Sequence, residues 1–331
     1  MTDVNSLSCD QFVAELLDPG ADLKRQIRHV RCAGLLLPVR IMDIPKGGAG
    51  VGAPLIFAFH GVSPKDFPYP FFYGQGFAAA KGALPRTVLA ICDATLEQFP
   101  ELRFGWYEGS KGRDVPAAVH ELIAAVVAGT APSRTILTGG STGAHAALRH
   151  VGDFPGALFF ALNPLPRLNG YWRDGVAQYF QACWDGEYDP EALTSPHVIN
   201  DPTERYAGTA LQNDFFVVQN PTDPHFLRQG AAMLEMLGRN YDTLGRVMAV
   251  VPPMGDSVGH GAPKGLYEQW MEAVIHAPDT RPLSILQTYQ AMEQAREPAR
   301  AARSGAAALS PQHLAQAREI VKMLPPRRAA E

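Results

Sequence analysis

A sharp strand–turn–helix reversal is predicted at Gly139-Gly140-Ser141-Thr142-Gly143. The residues before it, 135–138, are apolar or β-branched and are typical of a buried strand. The residues after it, 144–149, are rich in alanine and are typical of a helix. A G-x-S-x-G pattern in this context places its serine on a strained turn with the hydroxyl exposed, and small neighbours let strand and helix pass closely. The pattern therefore predicts that Ser141 is a nucleophile.

Strands and helices alternate through most of the chain. Continuous apolar runs at 54–59 and 87–92 are typical of strands buried on both faces of a parallel sheet. Three more apolar runs follow Ser141, at 156–162, 215–218 and 247–251. This alternation predicts the α/β class, with a doubly wound, mostly parallel sheet.

Two regions interrupt the alternation. Residues 165–212 are aromatic and polar and are too long for an ordinary connection. We interpret them as a cap over the site; an insertion packed on the sheet edge would have the same pattern. Ser310 before Pro311 predicts a helix start in the tail. We therefore expect an α/β domain over residues 1–277 that contains the cap, and a partly flexible helical extension over 278–331.

Composition limits the classes of function. Of the 331 residues, 46% are apolar and 19% charged, and the net charge of −4 offers no basic surface for nucleic acid. Cys9, Cys32, Cys92 and Cys183 form no C-x-x-C pair, and Cys32 and Cys92 lie in apolar runs typical of buried thiols. No segment is typical of a signal peptide or a membrane span. We expect a cytoplasmic protein without a metal or cofactor, since no metal-ligand cluster or phosphate-binding loop is recognisable. The oligomeric state stays open.

An acid and a base are predicted on loops that follow two later strands. A serine hydroxyl needs an adjacent base, and the base needs an acid to orient it. Asp223 and His260 each follow an apolar strand run, and the carboxyl ends of parallel strands share one edge of the sheet. We assign Asp223 as the acid and His260 as the base. Asp256 is the alternative acid and His225 the alternative base, whereas His145 is interpreted as a packing residue.

Two backbone N–H groups are the candidates for an oxyanion hole. One belongs to Thr142, directly after Ser141, and the other to Val62, in the loop after the first buried strand. Gly61 lets that loop turn tightly, and His60 beside it is a candidate substrate contact.

Three aromatic residues of the expected cap, Trp172, Tyr179 and Trp184, are further candidates for substrate binding. We expect their rings to overhang the pocket above Ser141. Aromatic faces suit sugars and acyl chains equally, so the rings do not select a substrate class.

The loop at His60-Gly61, the turn at 139–143 and the loops of Asp223 and His260 together resemble the α/β-hydrolase superfamily, over about residues 30–276. A narrower resemblance is to hydrolase-like proteins encoded with bacterial surface-polysaccharide genes, including capsule-biosynthesis and accessory-secretion members. It rests on Leu162-Asn163-Pro164, Gln219-Asn220 and Gly259-His260-Gly261-Ala262-Pro263. The superfamily implies cleavage of an ester or related acyl bond through an acyl-serine. The narrower group implies a glycan-linked ester or acyl group.

The leading hypothesis is thus a cofactor-independent serine esterase or deacylase acting on a small-molecule or glycan ester. Two alternatives stay open. One is a non-catalytic accessory protein that keeps the fold for binding a partner or a glycan. The other is an acyltransferase that forms the same acyl-serine but excludes water.

Overall fold

The computed structural model describes residues 6–50, 52–62, 84–207, 210–239 and 245–296. The helix start predicted at Ser310 and the distal part of the expected C-terminal extension lie outside these residues.

A nine-stranded sheet forms the centre of the described part of the chain. In chain order its strands are β1 (Ser6–Ser8), β2 (Ile27–Cys32), β3 (Leu35–Asp43), β4 (Leu55–Phe59), β5 (Thr87–Ile91), β6 (Thr135–Ser141), β7 (Leu158–Pro164), β8 (Asp214–Val218) and β9 (Val247–Val250). The spatial order is β1-β2-β3-β5-β4-β6-β7-β8-β9. Strand β3 runs antiparallel to both of its neighbours, and all other pairs are parallel. The mostly parallel sheet confirms the predicted α/β class.

Eight α-helices connect and cover these strands within the described ranges. They are α1 (Cys9–Leu17), α2 (Thr95–Gln98), α3 (Val115–Thr130), α4 (Gly143–Val151), α5 (Arg173–Cys183), α6 (Gly230–Gly238), α7 (Leu266–His276) and α8 (Pro282–Arg296). The start of α3 follows from its sequence, because the Asp114 side chain accepts a hydrogen bond of 2.9 Å from the Ala117 N–H. None of the helices described has the length and apolar character needed to cross a lipid bilayer.

Both faces of the central strands are buried, which explains why β4, β5 and β8 are continuously apolar. Along β4, Leu55, Phe57 and Phe59 belong to an apolar cluster with α1, α3, α4 and α6. Ile56 and Ala58 point to the other face, into a cluster with α7 and α8. The carboxyl ends of β4, β6, β7 and β8 meet at one edge of this doubly covered sheet, and the predicted site lies there.

Candidate active site

Ser141 ends β6 in a backbone conformation that few non-glycine residues adopt, with φ of 54°. The neighbouring glycines permit this turn. A β-carbon on Gly139 would lie 2.4 Å from the carbonyl carbon of Gly143, and one on Gly143 would lie 2.4 Å from the carbonyl oxygen of Phe59. Both positions therefore require glycine. The turn raises Ser141 between β6 and α4, as the strand–turn–helix pattern predicts.

Ser141 opens into a cavity of about 390 Å³. His260 lines the same cavity, and so does the one charged side chain among its described lining residues, Glu268. The remaining lining side chains are mainly apolar or aromatic: Val62, Leu162, Tyr171, Ala262 and Tyr267. An apolar pocket with a few converging polar groups is typical of a small-molecule site.

Asp223 holds the imidazole of His260. The His260 Nδ1 lies 2.7 Å from Asp223 Oδ2, and the other carboxylate oxygen accepts a hydrogen bond of 2.9 Å from the His225 N–H. Burial raises the pKa of Asp223, but the hydrogen bonds from His260 and from the His225 backbone outweigh burial and leave the pKa below its usual value. Asp223 is thus held ionised, and it leaves the Nε2 of His260 as the nitrogen available to a nucleophile.

The expected hydrogen bond between His260 and Ser141 is not formed. Within the described ranges the Ser141 hydroxyl has no hydrogen-bond partner, although both side chains line one cavity. Catalytic hydrogen bonds are often long in unliganded sites and tighten when substrate binds.

Neither the alternative acid nor the alternative base is among the described residues that line the cavity. Asp256 is exposed, and the carboxylate bonded to the His260 ring is that of Asp223. The ring of His225 packs edge-on against that of His260, with centroids 5.6 Å apart, and stacks on Tyr171. Burial lowers the pKa of His225, which keeps its ring neutral at physiological pH.

His145 is a packing residue, as interpreted from its position. It is fully buried, and its Nε2 lies 2.8 Å from Glu108 Oε1. Burial raises the pKa of Glu108, but His145 and Arg149 reverse this effect and hold the pKa below its usual value. The second oxygen of Glu108 accepts the Ile199 N–H at 3.1 Å, so this network fastens residues 165–212 to the sheet domain.

A buried amide network, which the sequence interpretation missed as a functional feature, holds the His260 loop. The Asn163 amide donates to the His260 carbonyl at 2.9 Å, and its oxygen accepts the Asn220 N–H at 2.7 Å. The Asn220 amide donates to the carbonyls of Ser257 and Gly261, at 3.0 and 2.9 Å. The signal was present, because Asn163 and Asn220 are polar residues at the ends of apolar strand runs.

The predicted oxyanion donors lie beside Ser141. Thr142 is buried and directly precedes α4, so its N–H belongs to the positive end of that helix. Val62 lines the cavity next to Gly61. A β-carbon on Gly61 would lie 3.1 Å from Ser141 Cβ and 3.7 Å from Ser141 Oγ, which shows how closely this loop approaches the serine.

His60 does not contact the cavity, contrary to its expected role as a substrate contact. Its Nδ1 lies 2.7 Å from the Gly61 carbonyl, and its Nε2 accepts the Asp93 N–H at 3.1 Å. Burial lowers the pKa of His60, so the ring is neutral and both nitrogens are used by the backbone. His60 shapes the loop that carries Val62.

The three aromatic residues expected over the pocket lie elsewhere. Tyr179 is fully buried and donates to the Gly109 carbonyl at 3.2 Å. Trp184 stacks on His197, with centroids 5.1 Å apart, and Trp172 is 60% exposed. Tyr179 belongs to a third apolar cluster that joins α5 to residues 96–106, so this cluster supplies the burial that the aromatic pattern implied. The aromatic residue of 165–212 that lines the cavity is Tyr171.

In the described part of the chain, two groups of three side chains each bring potential metal ligands close together. They are Cys9, Cys32 and Glu121, and His120, His150 and Asp153. Neither group includes a residue that lines the cavity of Ser141.

Comparison with known proteins gives a match in structure alone. No protein-family model matches the chain, and no curated protein matches its sequence. The capsule O-acetyltransferase of Neisseria meningitidis serogroup A, in complex with caged gadolinium, is similar with a TM-score of 0.53 at 14% identity, covering 78% of this chain and 98% of that chain. This chain has an α/β-hydrolase fold.

Two further solved structures match this chain, the second at a lower TM-score. A mutant of the same capsule O-acetyltransferase in complex with CoA gives a TM-score of 0.51 at 15% identity, covering 80% of this chain and 99% of that chain. Esterase 2 of Thermogutta terrifontis phosphonylated by sarin gives a TM-score of 0.49 at 13% identity, covering 77% of this chain and 94% of that chain. The α/β-hydrolase fold explains why the turn at Ser141 and the loops of Asp223 and His260 meet at one sheet edge.

Proposed function

We propose that the protein is a serine hydrolase that cleaves an ester or related acyl bond through an acyl-serine intermediate. The observation that carries the proposal is the position of Ser141, on a strained turn in a cavity shared with the Asp223-bonded His260. This geometry supplies a nucleophile, a base and an acid that orients the base.

In the acylation step, His260 Nε2 accepts the hydroxyl proton of Ser141 as Oγ attacks the acyl carbon. Asp223 stabilises the imidazolium that forms, and the N–H groups of Thr142 and Val62 stabilise the oxyanion. The tetrahedral intermediate collapses when His260 donates its proton to the leaving alkoxide. The alcohol departs, and the acyl group stays on Ser141.

In the second step, His260 accepts a proton from water as the water oxygen attacks the acyl-serine. Collapse returns the proton to Ser141 Oγ and releases the carboxylic acid. Tyr171 and Tyr267 present aromatic surfaces in the cavity, which suit a sugar face or an acyl chain. A glycan-linked ester is therefore a substrate class compatible with the site.

Acyl transfer is the second candidate function. It is favoured by the structural similarity to an enzyme described as a capsule O-acetyltransferase, one form of which is in complex with CoA. The acyl-serine would then pass its acyl group to a hydroxyl rather than to water, with His260 again accepting the proton.

Hydrolysis of p-nitrophenyl acetate by the purified full chain tests the proposal. We expect turnover in the wild type and a loss of about 10⁴-fold or more in Ser141→Ala. Ser133→Ala, at an exposed loop serine, is the matched control and should keep wild-type activity. Turnover that Ser141→Ala leaves unchanged would contradict the proposal, and a folded but inactive wild type would favour an accessory protein.

Product analysis with an added acceptor separates the two chemistries. With an excess of a small alcohol or a sugar, a hydrolase should release mainly free acid. A transferase should yield mainly the acylated acceptor and little acid.

A further inference from the structure

Two cysteines far from the cavity bring their sulfur atoms together. The Sγ atoms of Cys9 and Cys32 lie 2.7 Å apart, and 23 positions of sequence separate the residues. Cys32 is fully buried, whereas Cys9 is 8% exposed. The distance is well below the separation of ordinary packed atoms, about 3.5–4.0 Å. The two thiols are therefore in direct contact, closer than packing alone would bring them.

The backbone on either side holds the pair in place. Strands β1 and β2 run parallel in a register that pairs Ser8 with Arg31, and Cys9 and Cys32 are the next residues on each side. Neighbouring strands lie about 4.7–4.9 Å apart. Cys9 is the first residue of α1 and directly follows the paired Ser8, so the strand register brings its side chain next to Cys32 of β2. The two sulfur atoms already lie 2.7 Å apart, so a small shift brings them to the bond length of about 2.0 Å.

A metal ion fits this pair less well than a covalent bond does. Two thiolates bound to one tetrahedral zinc, each at about 2.3 Å, lie roughly 3.8 Å apart, well beyond the distance seen here. Glu121, the third potential ligand, already accepts the Ala33 N–H with Oε2 at 2.7 Å.

We propose that Cys9 and Cys32 are a site of reversible disulfide formation that fastens the start of α1 to β2. A low-molecular-weight disulfide, R–S–S–R, serves as the oxidant. Cys9, the more accessible thiol, attacks one sulfur and releases one R–SH, and the Cys9 proton passes to the departing thiolate. Cys32 then attacks the Cys9 sulfur of the mixed disulfide and releases the second R–SH, taking up the Cys32 proton. Glu121 Oε1, 3.6 Å from Cys9 Sγ, accepts the Cys9 proton on its way.

The bond would stabilise one end of the sheet. Strand β1 is three residues long and forms the outermost strand, so few backbone contacts hold it to β2. A cross-link between Cys9 and Cys32 closes a loop that spans 23 positions of sequence and so restricts the unfolded chain. We expect it to raise Tm by on the order of 5 °C for a domain of this size.

Thiol counting on the full chain after equilibration with oxidised and reduced glutathione tests the inference. The reduced protein has four free thiols, and we expect the oxidised wild type to have two. Peptide mapping without reductant should yield one linked pair that contains Cys9 and Cys32. Cys9→Ser should keep its three thiols, and the double variant Cys92→Ser/Cys183→Ser should still form the bond.

Three results would overturn the inference. One is four free thiols in a folded wild type under conditions that oxidise a reference dithiol. Another is glutathione on Cys9 with no linked peptide. The third is stoichiometric zinc that is lost in Cys9→Ser. The Tm of the wild type should rise on oxidation, and that of Cys9→Ser should not, so the measurement does not depend on activity.

Discussion

The turn at Ser141 and the aromatic segment 165–212 were both singled out from sequence, but only the turn brings its predicted residues to the cavity. At the turn, glycines stand where a β-carbon would collide with backbone atoms, so the pattern encodes the geometry itself. In the aromatic segment, the pattern encodes a need for burial, and residues 96–106 meet that need. A sequence pattern that constrains the backbone therefore predicts where a side chain lies. A pattern that only requires burial does not predict which part of the molecule the side chain packs against.

Adjacent residues in the segment make the same point. Tyr171 lines the cavity and packs edge-on against Phe104 and Trp106, while Trp172 is 60% exposed. Their side chains are chemically similar, and neither periodicity nor composition separates them.

After Ser141→Ala, the largest effect is expected at the acid. Asp223→Asn should reduce kcat by about 10⁴-fold, because the imidazole loses the carboxylate that orients it and stabilises its charge. Asp256→Asn is the matched control in the same region and should change kcat by less than about twofold. A larger loss in Asp256→Asn than in Asp223→Asn would reverse the assignment of the acid.

The same substitution has a pH signature in stability. The pKa of Asp223 is lowered in the folded state, so its ionised form stabilises the protein above about pH 4. That stabilisation is lost as the pH falls through the lower folded pKa. Urea unfolding should show a deficit for Asp223→Asn at pH 7 that narrows below pH 4, and a deficit that does not change with pH would contradict this assignment.

Alanine substitutions at two glycines of the turn, Gly143 and Gly140, should differ in their effect on stability. Gly143→Ala should lower the free energy of unfolding by about 3 kcal/mol, because its β-carbon meets the Phe59 and His60 carbonyl oxygens at 2.4 and 2.6 Å. Gly140→Ala is the control, since its β-carbon would meet nothing nearer than the Leu162 carbonyl at 3.6 Å. Equal losses in urea unfolding would show that the turn is not packed as described.

A smaller effect is expected at the amide network. Asn220→Ala should reduce kcat by about 10- to 100-fold with little change in KM, because the His260 loop loses two hydrogen bonds that place the imidazole. Asn200→Ala removes comparable amide bonds within the aromatic segment and should leave kcat unchanged. An equal fall in kcat in both variants would indicate general destabilisation and would contradict a positioning role for Asn220. General destabilisation would leave the shape of the pH profile of kcat/KM unchanged.

The smallest effect compares the neighbouring aromatic residues. Tyr171→Ala should raise KM for a bulky ester by about tenfold and less for an acetyl ester, because it removes a cavity wall. Trp172→Ala should change neither KM by more than about twofold. A larger rise in KM for the bulky ester in Trp172→Ala than in Tyr171→Ala would instead indicate that Trp172 contacts the substrate.

Much of the fold and the positions of the candidate catalytic residues could be predicted, because each leaves a local signal in the sequence. Buried parallel strands read as continuous apolar runs, and Asp223 and His260 follow such runs directly. His60 and Trp184 could not be placed in this way, because the partners that fix their rings, Asp93 and His197, are brought to them only by the folded chain and belong to no recognisable local pattern. The role of Asn163 likewise depends on contact with a loop 97 residues later.

Labelling with a fluorophosphonate, followed by peptide mapping, tests the central claim most directly. The account predicts one adduct per chain on Ser141 in the wild type, none in Ser141→Ala, and much slower labelling in His260→Ala. A folded wild type that resists the probe, or an adduct on another residue that persists in Ser141→Ala, would contradict it.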